Sequence, residues 1–408
     1  MEAQVNLNSE IGRLRAVVLH RPGPELEQMT PSTIHQALYS DLLNTRQAQQ
    51  EYRQLESVLS QVCTPFYIDE LLVETLRKSS EARVFVQRRI QESARAAGIE
   101  GELSAMEAED LAATLISGRM GTSFNPLYNL YFTRDIGVCF NGHSMPTHMA
   151  TRVRSREILI TDTIYRFHPF FTRNASHVNP WENVSACTRL EGGDFQVAAP
   201  DVFVIGQGAR SNRNGVDAFI DLKRKESALF YVITQELPFE PESFIHLDMV
   251  FTFLSRTHVM AYKPLVLDRN HYATRLLKVE NGVVRETVFD TVLDALHSLG
   301  YDYTPVYCGG GDALYADREQ WHSGANFFAF APGKIMGYGR NLRTIEALSK
   351  AGFDVVPAWD VVDGKAKVET ENESRQVVYT LESSELVRGG GGCRCMTMPL
   401  CREDLSNL

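Results

Sequence analysis

Met249-Val-Phe-Thr-Phe253 and Val259-Met-Ala-Tyr262 are apolar runs on either side of the polar segment Ser255-Arg-Thr-His258. Two apolar runs joined by a short turn predict a β-hairpin. The pattern recurs at Val138–Phe140 before Asn141-Gly142, at Phe195–Val197 before Val202–Ile205, and at Phe327–Phe330 before Ile335–Tyr338. A degraded fifth copy includes Ala16-Val-Val-Leu-His20. A unit repeated about five times predicts radial repetition around an axis, because a propeller leaves few sheet edges open.

Helical patterns accompany these strands. Asn341 can cap a helix carrying Leu342, Ile345 and Leu348, which ends at Gly352 before the strand-like Phe353–Val356. A second helix is predicted from one apolar face with 4-3-4-3 spacing, formed by Ala48, Tyr52, Leu55, Leu59 and Val62.

Residues 69–120 interrupt the strand pattern. They are rich in Ala, Glu, Arg and Leu without alternation, which predicts a bundle of short helices broken near Gly98-Ile-Glu-Gly101. We therefore predict a catalytic propeller domain at residues 1–66 and 122–408, with an inserted helical bundle at residues 67–121. No chemistry-bearing motif lies in the insertion, so it is interpreted as a packing or lid element.

Composition excludes several classes of partner. A net charge of −10 without a visible basic face argues against nucleic acid. No apolar run approaches the roughly 20 residues of a spanning helix, and the first residues lack a secretory pattern, so no membrane partner is expected. Seven scattered cysteines, an odd number, favour reduced thiols in a cytoplasm. Cys393, Cys395 and Cys401 lack metal-knuckle spacing, so no metal site is predicted.

The chemistry is predicted from polar residues near strand ends. In the run Arg388-Gly-Gly-Gly-Gly-Cys-Arg-Cys395 the Cys395 thiol follows four glycines. Because glycine has no side chain, the backbone there can lie close to a ligand, and the thiol can lie on the wall of a pocket. Carboxylates and a histidine occur at Asp135, Glu191-Gly-Gly-Asp194 and His246-Leu-Asp248. Each group alone is typical of structural hydrogen bonding. Together, several acids around one thiol suit a guanidinium, because its N–H groups match carboxylates and its carbon is electrophilic.

At these residues the chain resembles the arginine deiminases, in motifs that run in order along nearly its whole length. The motifs are Ser9–Leu14, Leu19–Gly23, Met29–Pro31, Leu38–Asp41, Asn129–Asp135, Arg152–Glu157, Glu191–Asp194, His246–Asp248, Pro332-Gly333, Tyr338–Asn341 and Cys395–Pro399. The resemblance implies a five-bladed α/β-propeller, the pentein fold, with pseudo-fivefold repeats and an inserted helical domain. It also implies hydrolysis of free L-arginine to L-citrulline and ammonia through a covalent thiouronium on cysteine.

The resemblance assigns roles residue by residue. The catalytic residues it implies are Cys395 as nucleophile, His246 and Glu191 for proton transfer, and Asp135 and Asp248 for the guanidinium. The substrate-binding residues it implies are Arg154 and Arg210 for the α-carboxylate, Asn129, Phe132 and Leu38 around the amino-acid end, and Asp194 in support. Some members carry a gating arginine at the position of Gly390 here, which leaves Arg388 or Arg394 for that role.

Related activities remain open from the sequence. An amidinotransferase or an agmatine deiminase shares the scaffold, and a catalytically silent arginine-binding protein would keep the fold without turnover. Agmatine lacks a carboxylate, so Arg154 and Arg210 favour free arginine. The resemblance implies a homo-oligomer, dimer or tetramer, and no metal or organic cofactor.

Overall fold

The computed structural model describes residues 4–94, 106–118, 125–182 and 184–405. The strands are β1 Leu14–Leu19, β2 Thr64–Tyr67, β3 Gly137–Phe140, β4 His143–Pro146, β5 Ser176–His177, β6 Phe195–Ala199, β7 Val202–Gln207, β8 Leu229–Glu236, β9 Phe251–Phe253, β10 His258–Ala261, β11 Thr274–Glu280, β12 Val283–Phe289, β13 Thr304–Tyr307, β14 Phe328–Ala331, β15 Lys334–Tyr338, β16 Phe353–Pro357, β17 Gln376–Leu381 and β18 Met398–Arg402.

The α-helices lie between these strands. They are α1 Pro24–Glu27, α2 Thr45–Ser60, α3 Ile68–Lys78, α4 Ser80–Ala94, α5 Ala108–Ser117, α6 Ser155–Phe167, α7 Pro169–Asn174, α8 Arg213–Lys223, α9 Lys263–Val266, α10 Val292–Ser298, α11 Ala313–Gln320, α12 Leu342–Lys350 and α13 Ala358–Val362. None of the described helices is both long and apolar enough to cross a membrane.

Five sheets share one arrangement of strands. Their orders are β18-β1-β2, β3-β4-β5, β6-β7-β8-β11-β12, β9-β10-β13 and β14-β15-β17-β16. In each sheet an edge strand pairs antiparallel with its neighbour, and that neighbour pairs parallel with a third strand. The edge strands β18, β3, β6, β9 and β14 are therefore equivalent members of a mixed α/β fold.

The four complete hairpins predicted from the sequence are confirmed as β3-β4, β6-β7, β9-β10 and β14-β15. The degraded copy is a strand, β1, but its antiparallel partner is not local. It pairs with β18, where Val17 lies opposite Pro399. The sequence pattern near Ala16 looked incomplete because the second half of that unit comes from the other end of the chain.

Both predicted helices form, with two differences: Val62, expected on the apolar face of the second helix, lies beyond the end of α2 at Ser60, and the capping of α12 differs. Ala48, Tyr52, Leu55 and Leu59 form the buried face of α2. Asn341 precedes α12, but its side chain does not cap the helix and instead donates to the carbonyl of His322. The carboxylate of Glu319 accepts from the backbone N–H groups of Arg343 and Thr344, each at 2.8 Å, so a residue of α11 caps α12.

The segment predicted to be helical contains α3, α4 and α5 among its described residues. The predicted break at Gly98–Gly101 lies outside the described residues. Leu72 of α3 and Leu115 of α5 are fully buried in the same apolar cluster as Ile160 and Ile164 of α6. The helices of this segment therefore pack against the helix that follows the β3-β4 hairpin.

Glu51 connects α2 to the segment that leads into the glycine run. Its buried carboxylate accepts hydrogen bonds from the backbone N–H groups of Ser384, Glu385 and Leu386, at 2.8 to 3.1 Å. These hydrogen bonds attach the segment that precedes Gly389–Gly392 to α2, because a charged carboxylate binds N–H donors strongly.

Replacement of this carboxylate by an amide tests the connection. Glu51→Gln keeps the shape but turns an N–H donor toward backbone donors. We expect the free energy of unfolding to fall by roughly 2–4 kcal/mol, since hydrogen bonds to a buried charge are lost. Denaturant unfolding measures this change. Gln50→Ala, at an exposed position of the same helix, is the control and should change stability little; equal stability of Glu51→Gln and the unchanged protein would contradict the role of Glu51.

Candidate active site

A polar residue stands one to three positions before each of the five equivalent edge strands. These residues are Asp135 before β3, Asp194 before β6, Asp248 before β9, Asn326 before β14 and Cys395 before β18. All five are buried. Each of the five sheets therefore has one buried polar side chain just before its edge strand.

Direct contacts join the five strand-leading segments in a closed order. The backbone N–H of Arg134 donates to the Cys395 carbonyl at 3.0 Å, and that of Arg394 donates to Asn326 Oδ1 at 2.9 Å. Asn326 Nδ2 donates to the Asp248 carbonyl at 3.0 Å, and the N–H of Leu247 donates to Asp194 Oδ1 at 2.8 Å. Gly192 closes the order, because only a residue without Cβ fits against the Arg134 carbonyl.

The Cys395 sulfur lies among polar atoms although only 4% of the residue is exposed. Asn326 Nδ2 is 3.2 Å from Sγ, and the Asp248 carboxylate oxygens are 3.8 and 3.9 Å away. Burial raises the pKa of the thiol well above its usual value, and the carboxylates of Asp248 and Asp135 raise it further. The resting sulfur is therefore a neutral thiol at neutral pH.

His246 lies between two carboxylates. Its Nε2 is 2.8 Å from Glu191 Oε2, and its Nδ1 is 3.7 Å from Asp135 Oδ1. Burial by itself lowers the pKa of His246, but Asp135, Glu191 and Asp194 outweigh it and raise the pKa to about 9. The imidazole is thus protonated at neutral pH. A Cβ at Gly193 would lie 2.7 Å from this ring, so glycine is needed for the ring to occupy its place.

Asp135 is held from one side by a buried arginine. Arg154 Nη1 donates to Asp135 Oδ2 at 2.6 Å, and the same guanidinium pairs with Glu157 at 2.8 Å. The other oxygen, Oδ1, is buried and has no hydrogen-bond partner among the described residues. A buried acceptor without a donor is unusual and is suited to an N–H group of a ligand.

Asp248 is held in the same manner. Arg394 Nη1 donates to Asp248 Oδ2 at 2.9 Å, and Arg394 also pairs with Glu10 at 3.1 Å and donates to the Phe195 carbonyl at 2.9 Å. Arg394 is 1% exposed. Burial raises the pKa of Asp248 from its usual value, while the charge of Arg394 acts in the opposite direction.

Arg210 provides a buried donor near the histidine pair. Its Nη1 lies 3.7 Å from Glu191 Oε2 and has no hydrogen-bond partner among the described residues. Burial opposes ionisation of Glu191, but the bond to His246 and the charge of Arg210 hold the pKa of Glu191 below its usual range. Asp194 lies behind the site, where burial raises its pKa to about 6.

The residues predicted for the amino-acid end are also near one another. Asn129 Nδ2 donates to the carbonyl of Ala37 at 2.9 Å, which brings Asn129 beside the half-buried Leu38. The Phe132 ring packs beneath the glycine run, where a Cβ at Gly391 would overlap it. The glycines therefore allow this loop to lie directly on an aromatic ring.

A surface cavity of about 430 Å³ leads toward the thiol. Its lining includes Asp41, Arg388 and Gly390 at the surface and Met249 in the interior, and Met249 Sδ is 3.8 Å from Cys395 Sγ. Arg388 is partly exposed and forms ion pairs with Asp41 and Glu385. Of the two arginines considered for gating, Arg388 thus lies at the cavity and Arg394 lies beneath the site.

Sequence reasoning missed Asn326, Glu157 and Glu10. Asn326 could have been found from its position, because it precedes the Phe327–Phe330 run as Asp248 precedes the run at Phe251. Glu157 and Glu10 lie in motifs that were noticed, but nothing in the sequence indicates that they pair with Arg154 and Arg394.

Asp135, Glu191 and His246 have ligand atoms within 4.8 Å of one another, so their geometry could hold a metal ion. The same three residues already interact directly, with Glu191 hydrogen-bonded to His246. Their anionic surroundings suit an organic cation equally well.

The raised pKa of His246 predicts a pH-dependent contribution to stability. The unfolded imidazole has a pKa near ~6.5, so stabilisation by its charge is complete below that pH and is lost as pH rises through about 9. We expect the free energy of unfolding to fall between pH 6.5 and 9.5 by a few kcal/mol more in the unchanged protein than in His246→Asn. Denaturant unfolding over this range measures both slopes, and equal slopes would contradict the ion-pair assignment.

A family model and individual known proteins match this sequence over most of its length. A family model described as arginine deiminase matches residues 116–402. The chain is 30% identical to the arginine deiminase of Borrelia duttonii, over 98% of both chains, and 30% identical to that of Clostridium perfringens, again over 98% of both. It is 29% identical to the arginine deiminase of Limosilactobacillus reuteri, over 99% of this chain and 100% of that protein.

Solved structures with a similar fold are much more distant in sequence. The N-terminal domain of a cyanobacterial arginine dihydrolase, solved with substrate, has a TM-score of 0.53 at 11% identity and covers 95% of this chain and 98% of that one. The dimethylarginine dimethylaminohydrolase of Pseudomonas aeruginosa, solved with citrulline, has a TM-score of 0.51 at 13% identity and covers 95% and 99%. Both are pentein-fold enzymes.

Proposed function

Because the chain belongs to the arginine deiminase family, we propose that it hydrolyses free L-arginine to L-citrulline and ammonia. One observation supports this most directly: a buried acceptor, Asp135 Oδ1, and a buried donor, Arg210 Nη1, both without a hydrogen-bond partner among the described residues, stand at the same site. A ligand with N–H groups at one end and a carboxylate at the other would satisfy both atoms.

We propose that the guanidinium binds between Asp135 and Asp248, with its carbon facing Cys395 Sγ. The Asp248 oxygens, 3.8 and 3.9 Å from Sγ, lie at a distance suited to a planar cation held beside the sulfur. Arg154 and Arg394 would each hold the Oδ2 oxygen of one carboxylate, which leaves the Oδ1 oxygens of Asp135 and Asp248 for the substrate.

The amino-acid end is proposed to extend toward Arg210, Asn129, Phe132 and Leu38. Arg210 is the stronger candidate for the α-carboxylate, because the donors of Arg154 bond to Asp135 and Glu157. Asp194 is proposed to orient the segment carrying His246, through its bond from Leu247 N–H. Arg388, at the surface cavity, is the candidate for a gating arginine.

The proposed reaction proceeds in two halves. The Cys395 thiolate attacks the guanidinium carbon, and protonated His246 gives its proton to a terminal nitrogen, which leaves as ammonia. The S-alkylthiouronium then accepts a water whose proton passes to His246. The carbon–sulfur bond breaks with its electron pair going to sulfur, the proton of the new hydroxyl passes to that sulfur and restores the thiol, and citrulline is released.

Ionisation of the nucleophile is proposed to depend on the substrate. In the free protein burial, and after it the carboxylates of Asp248 and Asp135, raise the pKa of the Cys395 thiol, so the thiolate is scarce and the thiol proton passes to solvent only when the cation binds. A bound guanidinium neutralises those carboxylates and removes their repulsion of the thiolate. No metal or organic cofactor is needed in this scheme, since the cationic carbon is already electrophilic.

We further propose that the five sheets form the blades of a pentein propeller at residues 1–66 and 122–408, with residues 67–121 as a helical insertion. The shared strand arrangement and the closed order of contacts support the propeller. A homo-oligomer, dimer or tetramer, is proposed from the family. A cytoplasmic location is proposed because all seven cysteines are free thiols.

Replacement of the nucleophile tests the proposed activity. Cys395→Ser should abolish release of ammonia and citrulline from L-arginine while arginine binding, measured by calorimetry, persists. The control is Cys393→Ser, which alters a buried thiol two residues away and should retain turnover. Full turnover by Cys395→Ser would exclude Cys395 as the nucleophile, and lack of turnover by the unchanged protein would exclude the activity.

Comparison of two substrates tests the role of Arg210. Arg210→Ala should lower kcat/KM for L-arginine by about 10- to 100-fold, the usual effect of losing a hydrogen bond to a charged group. Any activity toward agmatine, which has no carboxylate, should fall much less, because only the effect of Arg210 on the pKa of Glu191 is lost. The control is Arg213→Ala, which alters a half-exposed arginine nearby in sequence. An equal loss with both substrates would contradict a carboxylate contact, and preference for agmatine in the unchanged protein would favour an agmatine deiminase.

A further inference from the structure

We propose that Asn326 is a catalytic residue, whose side-chain amide donates a hydrogen bond to the Cys395 sulfur and favours its thiolate form. This inference rests on the proposed function only in taking Cys395 as the nucleophile. It adds a group that touches the reacting atom and that was not among the residues expected from the sequence.

The orientation of the amide is fixed by its other contacts. Asn326 Oδ1 accepts from the backbone N–H groups of Arg394, at 2.9 Å, and Cys395, at 3.4 Å. Nδ2 donates to the Asp248 carbonyl at 3.0 Å. A flipped amide would place its oxygen against a carbonyl and its nitrogen against N–H donors. The nitrogen therefore faces Cys395 Sγ, which is 3.2 Å away.

Both amide hydrogens have defined uses in this arrangement. One serves the Asp248 carbonyl, and the other serves the Cys395 sulfur at 3.2 Å, with the Met249 sulfur farther away at 3.6 Å. Asn326 is 1% exposed, so water does not compete for the contact. Gly392 allows the close approach, since a Cβ there would lie 2.6 Å from Asn326 Oδ1. The final glycine of the run thus makes room for the amide.

The contact matters because the carboxylates nearest the sulfur disfavour the thiolate, and Asn326 adds a donor to the Gly392 backbone and the Arg394 charge, which favour it. Asp248 and Asp135 disfavour the thiolate, whereas an N–H donor favours the charged form of its acceptor. When a guanidinium neutralises both carboxylates, the Asn326 hydrogen bond remains on the sulfur. It would act again when the carbon–sulfur bond breaks and the electron pair returns to sulfur.

The alternative is that Asn326 only ties backbone segments together, and Gln320 provides a matched control. Gln320 is also fully buried, and its Nε2 donates to the carbonyls of Ser243 and Met249 at 2.7 and 2.6 Å. Both of its amide hydrogens are used there, and neither reaches the sulfur. A purely structural role predicts similar effects from changes at Asn326 and Gln320.

The test is the alkylation rate of Cys395 by neutral iodoacetamide between pH 7 and 9.5, followed by peptide mass spectrometry. Below the thiol pKa this rate is proportional to the thiolate fraction. Asn326→Asp keeps an acceptor oxygen but loses the donor, and Asn326→Ser removes the amide without adding charge. We expect both to lower the rate about 10- to 100-fold at every pH, and to lower kcat by at least as much.

The controls separate the possible outcomes. The exposed thiol of Cys187 should be alkylated at one rate in all variants, and Gln320→Ala should leave the Cys395 rate within a few-fold of the unchanged protein. Wild-type alkylation of Cys395 in folded Asn326→Ser would overturn the proposal, as would an equal loss in Gln320→Ala. If Asn326→Asp does not fold, Asn326→Ser decides. The alkylation rate requires no turnover, so failure of the proposed activity would be recognised separately.

Discussion

Two buried arginine–aspartate pairs determine how this site is organised. Arg154 and Arg394 each take one oxygen of a carboxylate, Asp135 or Asp248, and each is fixed in turn by a glutamate, Glu157 or Glu10. A buried carboxylate without such a partner would be protonated or displaced. The pairs keep two negative charges next to a thiol where water is scarce. These negative charges contribute to the raised pKa values of both His246 and Cys395.

The charges have opposite effects on the two groups that exchange protons. Asp135, Glu191 and Asp194 together outweigh burial and hold His246 protonated, while burial, with Asp248 and Asp135, holds Cys395 in its neutral form, so the resting site keeps a proton on each. A cation of the right shape reverses the second effect without removing the first, because Glu191 remains bonded to His246. In the proposed reaction the same carboxylates bind the guanidinium and control when the thiolate forms. The Asn326 amide is neutral, so its proposed hydrogen bond to the Cys395 sulfur does not change when the cation binds.

Much of this arrangement could be predicted from the sequence, because hairpins and helices depend mainly on residues that are near one another along the chain. Hairpins such as β9-β10 follow from apolar runs and turns, and α2 follows from the spacing of Tyr52 and Leu55. The catalytic groups were expected because a thiol, an imidazole and acids occurred at corresponding strand ends. The pairing of β1 with β18 could not be predicted, since no local signal links Val17 to Pro399. The capping of α12 by Glu319 was also hidden, because it depends on how two helices meet.

The site residues that were missed, or whose surroundings differ from expectation, share one physical cause. Arg154 and Arg394 were expected to face substrate because the family resemblance assigned Arg154 to the α-carboxylate and left Arg394 as a candidate for the gating arginine. In the structure the carboxylates they bind belong to the protein itself. Sequence shows that charges of both signs occur near a site, but only packing shows which of them are already paired. Asn326 was overlooked for the related reason that a neutral amide gives no signal of its own.

The pairing of β1 with β18 also bears on the order in which parts of the site are synthesised. The thiol and the strand that completes the first sheet emerge from the ribosome together, after the other four strand-leading side chains have been translated. Contacts between such distant parts of a chain form slowly, because a large loop must close first. Cys395 is therefore the last of the five to be synthesised, and β1 cannot pair with β18 until every carboxylate of the site has been translated.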